Sequence, residues 1–559
     1  MSAQTPDLRT LVDRHAETLR RAVEAVDSRE YWSPHAESPK AYGDPATART
    51  DYERHLNNPF PLPPVGTDRG VVGGERSPYG PHLGVRYPAV EVDELLHAAR
   101  RGVAAWRDAG PQVRASVGLE VLARLNARSL EMGHAVMHTS GQPFLMAFQA
   151  GGPHAQDRGL EALALAYAEM TRIPEKVLWE KPGRTPVAME KTFTVVPRGV
   201  ALVVGCNTFP TWNSYSGLFA SLVTGNPVVV KPHPNAILPL AITVAVARDV
   251  LAESGFDPDL VLLAAEEPAG DLASRLATHP DVRIIDFTGS TTYGDWLEAN
   301  ARQARVYSEK AGVNSVVIDS TDDFGGLCQN LALSLSLYSG QMCTAPQNLL
   351  IPRDGIRTND GHKSFDEVVA GIAAAVDRLL AEPARAVEVT GAIANDSVLE
   401  RVDKAPSLGT VLLASRAIEH PAFPAAVVRT PTIIGVTSAD TEVYSEEVFG
   451  PVAFAVATGD TRESIEILRR TVRERGAITA SAYSDDEAVL DDVLAAAYDV
   501  GVAVSFNLTG PVMVNQTAAF SDFHGTGANP AATASYADPA FVAERFRIIG
   551  ARRHVGAAA

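Results

Sequence analysis

The chain has 559 residues, 46% of them hydrophobic and 21% charged, and 67 acidic residues outnumber 49 basic ones for a formal net charge of −18. That length exceeds what one hydrophobic core serves, so two or three domains are expected. The acidic balance disfavours nucleic acid and anionic membrane surfaces as partners, three cysteines are too few for a disulfide framework, and no apolar run reaches the roughly 18 residues of a membrane span.

In chain order, residues 1–89 form an N-terminal extension. Leu8, Leu11, Val12, Leu19 and Val23 recur at helical spacing in a charged context, which predicts an amphipathic helix rather than a signal peptide, and with it a cytoplasmic location. Residues 27–88 contain "YWSPHAESPKAYGDP" and "NNPFPLPPVGTDRG". Their proline and glycine break helices and ladders alike, so this stretch is expected to wrap the body as an extended segment. From Val90 the text turns helical. Then "GVALVVG", "PVVVK", "LVLLAA" and "RIIDFTG" alternate with amphipathic stretches. Continuous apolar strands separated by helices predict a parallel sheet covered on both faces. Ligands of such sheets bind beyond the carboxyl ends of the strands, and Asn207, Lys231 and Gly289 each follow one. A second alternating block follows, with "NSVVID", "LCQNLALSLSLYSG", "NLLIP" and strands near 410 and 430. The fold class is therefore α/β, as two α/β domains with a cleft between them.

Four features could carry chemistry. Cys343 lies in "LSLYSGQMCTAPQNLL", where a hydrophobic run breaks at Gly340. A packed cysteine needs no such setting, whereas a reactive one must be reachable. Glu309 in "VYSEKAGVNS" follows a strand, Lys231 ends one, and Gly289 and Ser290 form a strand-to-helix turn whose amides can face a phosphate. Singly, each has a commoner reading: an inert core thiol, a solvated charge, an ordinary turn. Their weight lies in occurring together. His134 and His138 stand four apart on an expected helix but have no acidic third ligand nearby, so they read as ordinary helix-face histidines and no metal is expected.

"GNPVVVKP", "FTGSTTYG", "EKAG", "SGQMC" and "EEVFGPV", in this order, resemble the aldehyde dehydrogenase superfamily, from about residue 90 to the C-terminus. Within it the likeness is greatest to the dehydrogenase-type proteins of phenylacetate degradation, and extends to "YWSPHAESPKAYG" and "KPHPNAILP". The resemblance implies a Rossmann-like dinucleotide-binding domain over 90–308 with a hairpin arm at 177–199. A catalytic domain over 309–515 and a glycine-rich loop with a C-terminal oligomerisation arm over 516–559 would follow. It makes Cys343 the nucleophile that attacks an aldehyde and ends as a thioester. Glu309 becomes the base that activates water for hydrolysis, a role that favours release of acid over transfer to coenzyme A. Glu447 and Phe449 match positions that hold the nicotinamide ribose and pack near the ring, and Gly525 and Gly527 fall in a loop at the substrate mouth.

Two departures from the family pattern bear on the site. The oxyanion asparagine that precedes "FP" is replaced by Thr208, so either Asn207, one place earlier, reaches the site through a shifted loop or the Thr208 hydroxyl serves as a weaker donor, with Asn207 preferred; Cys206 beside it is read as buried. The glutamate expected three residues after Lys231 is Pro234. Its loss removes a repulsion against a 2′-phosphate that Lys231 and His233 would attract, which points to NADP over NAD. The resemblance further implies an aldehyde still linked to coenzyme A, formed by ring opening, and a homodimer or dimer of dimers built through the arms. A coenzyme A-acylating dehydrogenase and a non-catalytic scaffold are the rival readings.

Overall fold

A computed structural model of the chain describes residues 8–512 and 519–555. The first helix runs from Leu8 to Ser28 and buries Leu19, Ala22 and Ala25. Its apolar stripe packs on the helices Gly110–Ala127 and Pro153–Thr171. The chain then crosses the body with only short regular pieces, among them the helix Pro45–Glu53 and a two-residue pairing of Val71–Val72 with Tyr87–Pro88. Buried polar groups fasten this segment. Glu75 accepts from the backbone N–H groups of Ile237 and Leu238 at 2.6 and 2.9 Å. Those amides open the helix Leu238–Glu253, where helical geometry leaves donors without partners.

Five strands make a wholly parallel sheet: β1 (Val200–Val204), β2 (Val228–Lys231), β3 (Val261–Leu263), β4 (Val282–Thr288) and β5 (Arg305–Glu309), in the order β3-β2-β1-β4-β5. The order reverses between β1 and β4, which opens a crevice at the carboxyl ends of the strands. Lys231, Gly289 and Glu309 all stand at that edge because β2, β4 and β5 end there.

The second sheet holds β6 (Ser315–Ile318), β7 (Asn348–Pro352), β8 (Thr410–Leu413), β9 (Thr432–Thr437), β10 (Val452–Thr458), β11 (Thr479–Tyr483) and β12 (Ala503–Phe506), in the order β8-β9-β10-β7-β6-β11-β12. Only β8 runs antiparallel to its neighbour. A third sheet stands apart. Its central strand Val187–Pro197 pairs antiparallel with Lys176–Lys181 on one side and with Phe546–Val555 on the other.

Candidate active site

The segment carrying Cys343 is shaped by backbone strain. The helix Phe324–Ser336 stops four residues before the expected break at Gly340. Tyr338, Ser339 and Gly340 then take φ of 51°, 49° and 62°, a left-handed run that costs free energy for the two side-chain-bearing residues. A Cβ at Gly340 would meet the carbonyl oxygen of Gly450 at 2.4 Å, so glycine is required there. Tyr338 donates its hydroxyl to the Ser140 carbonyl, which holds the run in place. Beyond it, Asn314 donates to the carbonyl oxygens of Cys343 and Ala345 at 2.8 and 3.0 Å. Its own oxygen accepts from the amides of Ile478 and Thr479 at the start of β11. One buried amide thus clamps the cysteine segment to the second sheet.

Cys343 is partly exposed and faces two buried groups. Its Sγ lies 3.5 Å from Nε2 of His524, and the same nitrogen lies 3.1 Å from Oε1 of Glu309. The other Glu309 oxygen accepts from the side-chain amide of Asn213 at 3.0 Å. Burial, and then the charge of Glu309, push the Cys343 thiol well above its usual value. Burial also acts to raise Glu309, but His524, Cys343 and Arg158 together hold the carboxyl below the ordinary range. The site therefore rests with a protonated thiol beside a carboxylate.

A cavity of about 360 Å³ opens on Cys343, His524 and Asn213. Leu145, Met146, Phe209, Trp212, Leu337 and Met342 give it apolar walls, while Glu37, His154 and Glu388 stand among its polar lining. Asn207, the expected oxyanion donor, is turned elsewhere: its amide donates to the Thr139 carbonyl at 2.9 Å. Two side-chain amides line the cavity, Gln149 and Asn213, and Asn213 is the one bonded to Glu309. Cys206 is buried, its thiol pushed up to about 11 by desolvation.

The remaining expected residues divide between the carboxyl edge of the parallel sheet and the turn that precedes β10 of the second sheet. Ser290 caps the helix Thr291–Asn300 by accepting from the Tyr293 amide, and the Gly289 amide donates to the Glu309 carbonyl at 3.0 Å. Glu447 is raised to about 7 by burial and accepts from the Gly312 amide at 3.4 Å, while the carbonyl of Phe449 accepts from Arg401. A capped helix start and a lysine at one strand edge fit the phosphates of a dinucleotide. The two cations assigned to a 2′-phosphate are not both charged and free. Lys231 is ion-paired with Glu266, a residue on the loop after β3. His233 is lowered to about 4 by burial and by Lys231, so it is neutral at pH 7.

The aldehyde dehydrogenase family model matches residues 86–529. The chain belongs to the aldehyde dehydrogenase family. Aldehyde oxidation with a nicotinamide cofactor is the chemistry of that family. A solved NAD-dependent aldehyde dehydrogenase from Burkholderia multivorans is 56% identical, with 98% of this chain and 99% of that one covered and a TM-score of 0.96. The N-succinylglutamate 5-semialdehyde dehydrogenase of Chromobacterium violaceum is 27% identical over 72% of this chain and 78% of its own. The 1-pyrroline-5-carboxylate dehydrogenase 1 of Halalkalibacterium halodurans is 24% identical over 68% and 71%.

In this aldehyde dehydrogenase the structure brings Cys343 to the cavity with Glu309 buried close by, and Lys231, Gly289 and Ser290 to one strand edge. It leaves Asn207 outside. Four residues escape a reading of the sequence: Asn213, Glu266, Asn314 and His524. His524 sits in "FHGTG" beside the flagged Gly525 and Gly527, yet nothing in that spacing says it meets a cysteine 181 residues away. His134 and His138 stack on Tyr52 and are lowered to about 4, in each case chiefly by burial.

Proposed function

We propose that this aldehyde dehydrogenase oxidises an apolar aldehyde to its carboxylic acid with NAD as the hydride acceptor. The observation that carries the reading is Cys343 at an apolar-walled cavity, with the reactive atoms of Cys343, Glu309 and His524 within 4.8 Å of one another. The Cys343 thiolate attacks the aldehyde carbon, and the oxyanion that forms is met by its own backbone N–H and by Asn213, in place of Asn207. Bound in the crevice along Lys231, Gly289, Ser290, Glu447 and Phe449, the nicotinamide supplies the hydride acceptor. Glu309, fixed by Asn213, then takes a proton from the water that hydrolyses the thioester, and the apolar walls keep other water away. Glu309 is of little use for transfer to coenzyme A, which favours hydrolysis.

NAD is preferred to NADP because the Glu266 carboxylate is paired with Lys231. It supplies the charge that Pro234 cannot, accepts from ribose hydroxyls and repels a 2′-phosphate. The 56%-identical relative is itself described as NAD-dependent.

For the substrate, no lysine or arginine lines the cavity among the described residues. A carboxylate-bearing semialdehyde would find no counter-ion there, so a neutral reacting end is preferred. The likeness of "YWSPHAESPKAYG" and "KPHPNAILP" to PaaN, the aldehyde dehydrogenase-type protein of phenylacetate degradation, suggests a coenzyme A-linked semialdehyde from ring opening. The aldehyde end of such a thioester is uncharged and suits these walls. The molecule acts as a homodimer or a dimer of dimers, joined through the three-stranded arm.

The test is cofactor reduction with neutral, carboxylate-bearing and coenzyme A-linked aldehydes, with NAD and NADP, with and without free coenzyme A, beside Cys343→Ala. Reduction is expected with NAD and uncharged aldehydes, independent of free coenzyme A and absent from the variant. A requirement for coenzyme A would move the protein to the acylating class, and activity surviving in Cys343→Ala would sink the reading.

A further inference from the structure

Glu309, Cys343 and His524 meet through a single ring nitrogen. Nε2 of His524 is 3.1 Å from a Glu309 oxygen and 3.5 Å from the Cys343 sulfur, while Nδ1 has no partner among the described residues. A carboxylate at that distance accepts, so Nε2 carries the hydrogen. The ring is 3% exposed and stands edge-on to Trp212 with centroids 4.8 Å apart. Its loop is pinned, because Arg158 donates to both the side chain and the carbonyl of Asp522, at 2.8 and 3.1 Å. A buried donor held this firmly has two acceptors before it, the carboxylate and the sulfur.

We propose that His524 is a catalytic residue whose Nε2–H donates to Glu309 while Cys343 is a thiol or a thioester, and to the sulfur whenever it is a thiolate. This rests on Cys343 being the nucleophile. In the first step the S–H bond breaks and the proton passes to the Glu309 carboxylate, so negative charge moves from oxygen to sulfur. The N–H follows that charge, since a hydrogen bond to an ion is roughly twice as strong as one to a neutral atom. Attack on the aldehyde and loss of hydride follow; Glu309 then releases the thiol's proton to solvent and, as a carboxylate again, takes a proton from the attacking water. When the tetrahedral intermediate collapses, the departing thiolate meets the same donor. No redox partner beyond the nicotinamide enters.

The charged and titratable groups facing His524 are Glu309 at the end of β5, Cys343, Asp522 and Tyr536 from the C-terminal segment, and Arg158 across Trp212. The thiolate fraction is read as the rate at which iodoacetamide modifies the Cys343 peptide, followed by mass spectrometry from about pH 6 to 10 on the full-length protein without aldehyde. A chelator is present throughout, because the same three donors suit a soft divalent cation. His524→Gln keeps a donor near the place of Nε2 and should stay within about threefold of the wild type. His524→Asn and His524→Phe should lose about 10- to 100-fold at pH 7 and reach a given rate only at higher pH. Equal rates in all four proteins, or equal losses in the Gln and Phe variants, would overturn the proposal. Thermal unfolding checks each variant, and if His524→Phe does not fold, the Gln-against-Asn comparison still decides. Alkylation needs no turnover, so a silent aldehyde panel would count against the substrate reading and leave this test intact.

Discussion

At the residue scale, the proposed preference for NAD rests on the charge around Lys231. Glu266 is held twice, by Lys231 and by the Leu272 amide at 2.9 Å, so it cannot swing away to admit a phosphate. Two like charges about 4 Å apart near a protein surface repel by roughly 4 kcal/mol. Glu266→Gln keeps the acceptor for Leu272, removes the charge and frees Lys231. The expected outcome is a Kd for NADP that falls by about 10-fold or more relative to that for NAD, measured by calorimetric titration of each cofactor. An unchanged preference would mean that the ribose end lies elsewhere.

At the scale of elements, the N-terminal extension works as a set of buried fastenings. Glu75 caps the helix Leu238–Glu253, takes the Tyr87 hydroxyl at 2.5 Å, and is raised to about 7 by burial. Its folded pKa lies above its unfolded value, so the folded state binds the extra proton between about pH 4.5 and 7. Stability is therefore full below that window and lost as pH rises through it, by about 3 kcal/mol on the linkage relation. Glu75→Gln keeps the two amide bonds without the charge. Its apparent Tm should exceed the wild type's at pH 8 and match it more nearly at pH 5, by scanning calorimetry. A parallel pair of Tm–pH curves would contradict this. Arg29 donates to Glu161, Glu161 pairs with Arg158, and Arg158 reaches Asp522, so the same extension braces the loop that bears His524.

At the scale of the whole molecule, the arm presents the surface a second copy would need. Its outer strand Lys176–Lys181 pairs on one side only, and Val177, Leu178 and Trp179 are exposed, as is Ile549 on the strand at the opposite edge. An apolar edge strand with open backbone groups pairs with another chain unless something covers it. Replacing Leu178 and Trp179 together by lysine should lower the mass found by sedimentation to that of a smaller assembly, with little change in the protomer's unfolding. An unchanged mass would place the interface elsewhere.

How much of this could be read in advance depends on the range of the interaction. The strands β1, β2 and β4 were legible because a fully buried parallel strand is written as a continuous apolar run, and the turn at Gly289 because capping is local. The break before Cys343 was legible as a break, but its cause was not. Gly340 is needed because Gly450, remote in sequence, packs against it, and the helix ends earlier than the glycine suggests. Asn207 was the natural oxyanion donor on a one-residue slip; the fold spends its amide on Thr139 and brings Asn213 round on the next helix. Likewise Pro234 speaks for NADP on local grounds alone, and the Glu266 carboxylate that pairs with Lys231 comes from a neighbouring strand's loop, which no spacing records. The sequence by itself determined the α/β alternation and the ordered chemical set, since periodicity and motif spacing are properties of neighbours along the chain. Tertiary structure alone decided which carboxylate faces Lys231, which amide faces Glu309 and which imidazole faces Cys343, because charge and hydrogen bonding act through space and no local pattern records them.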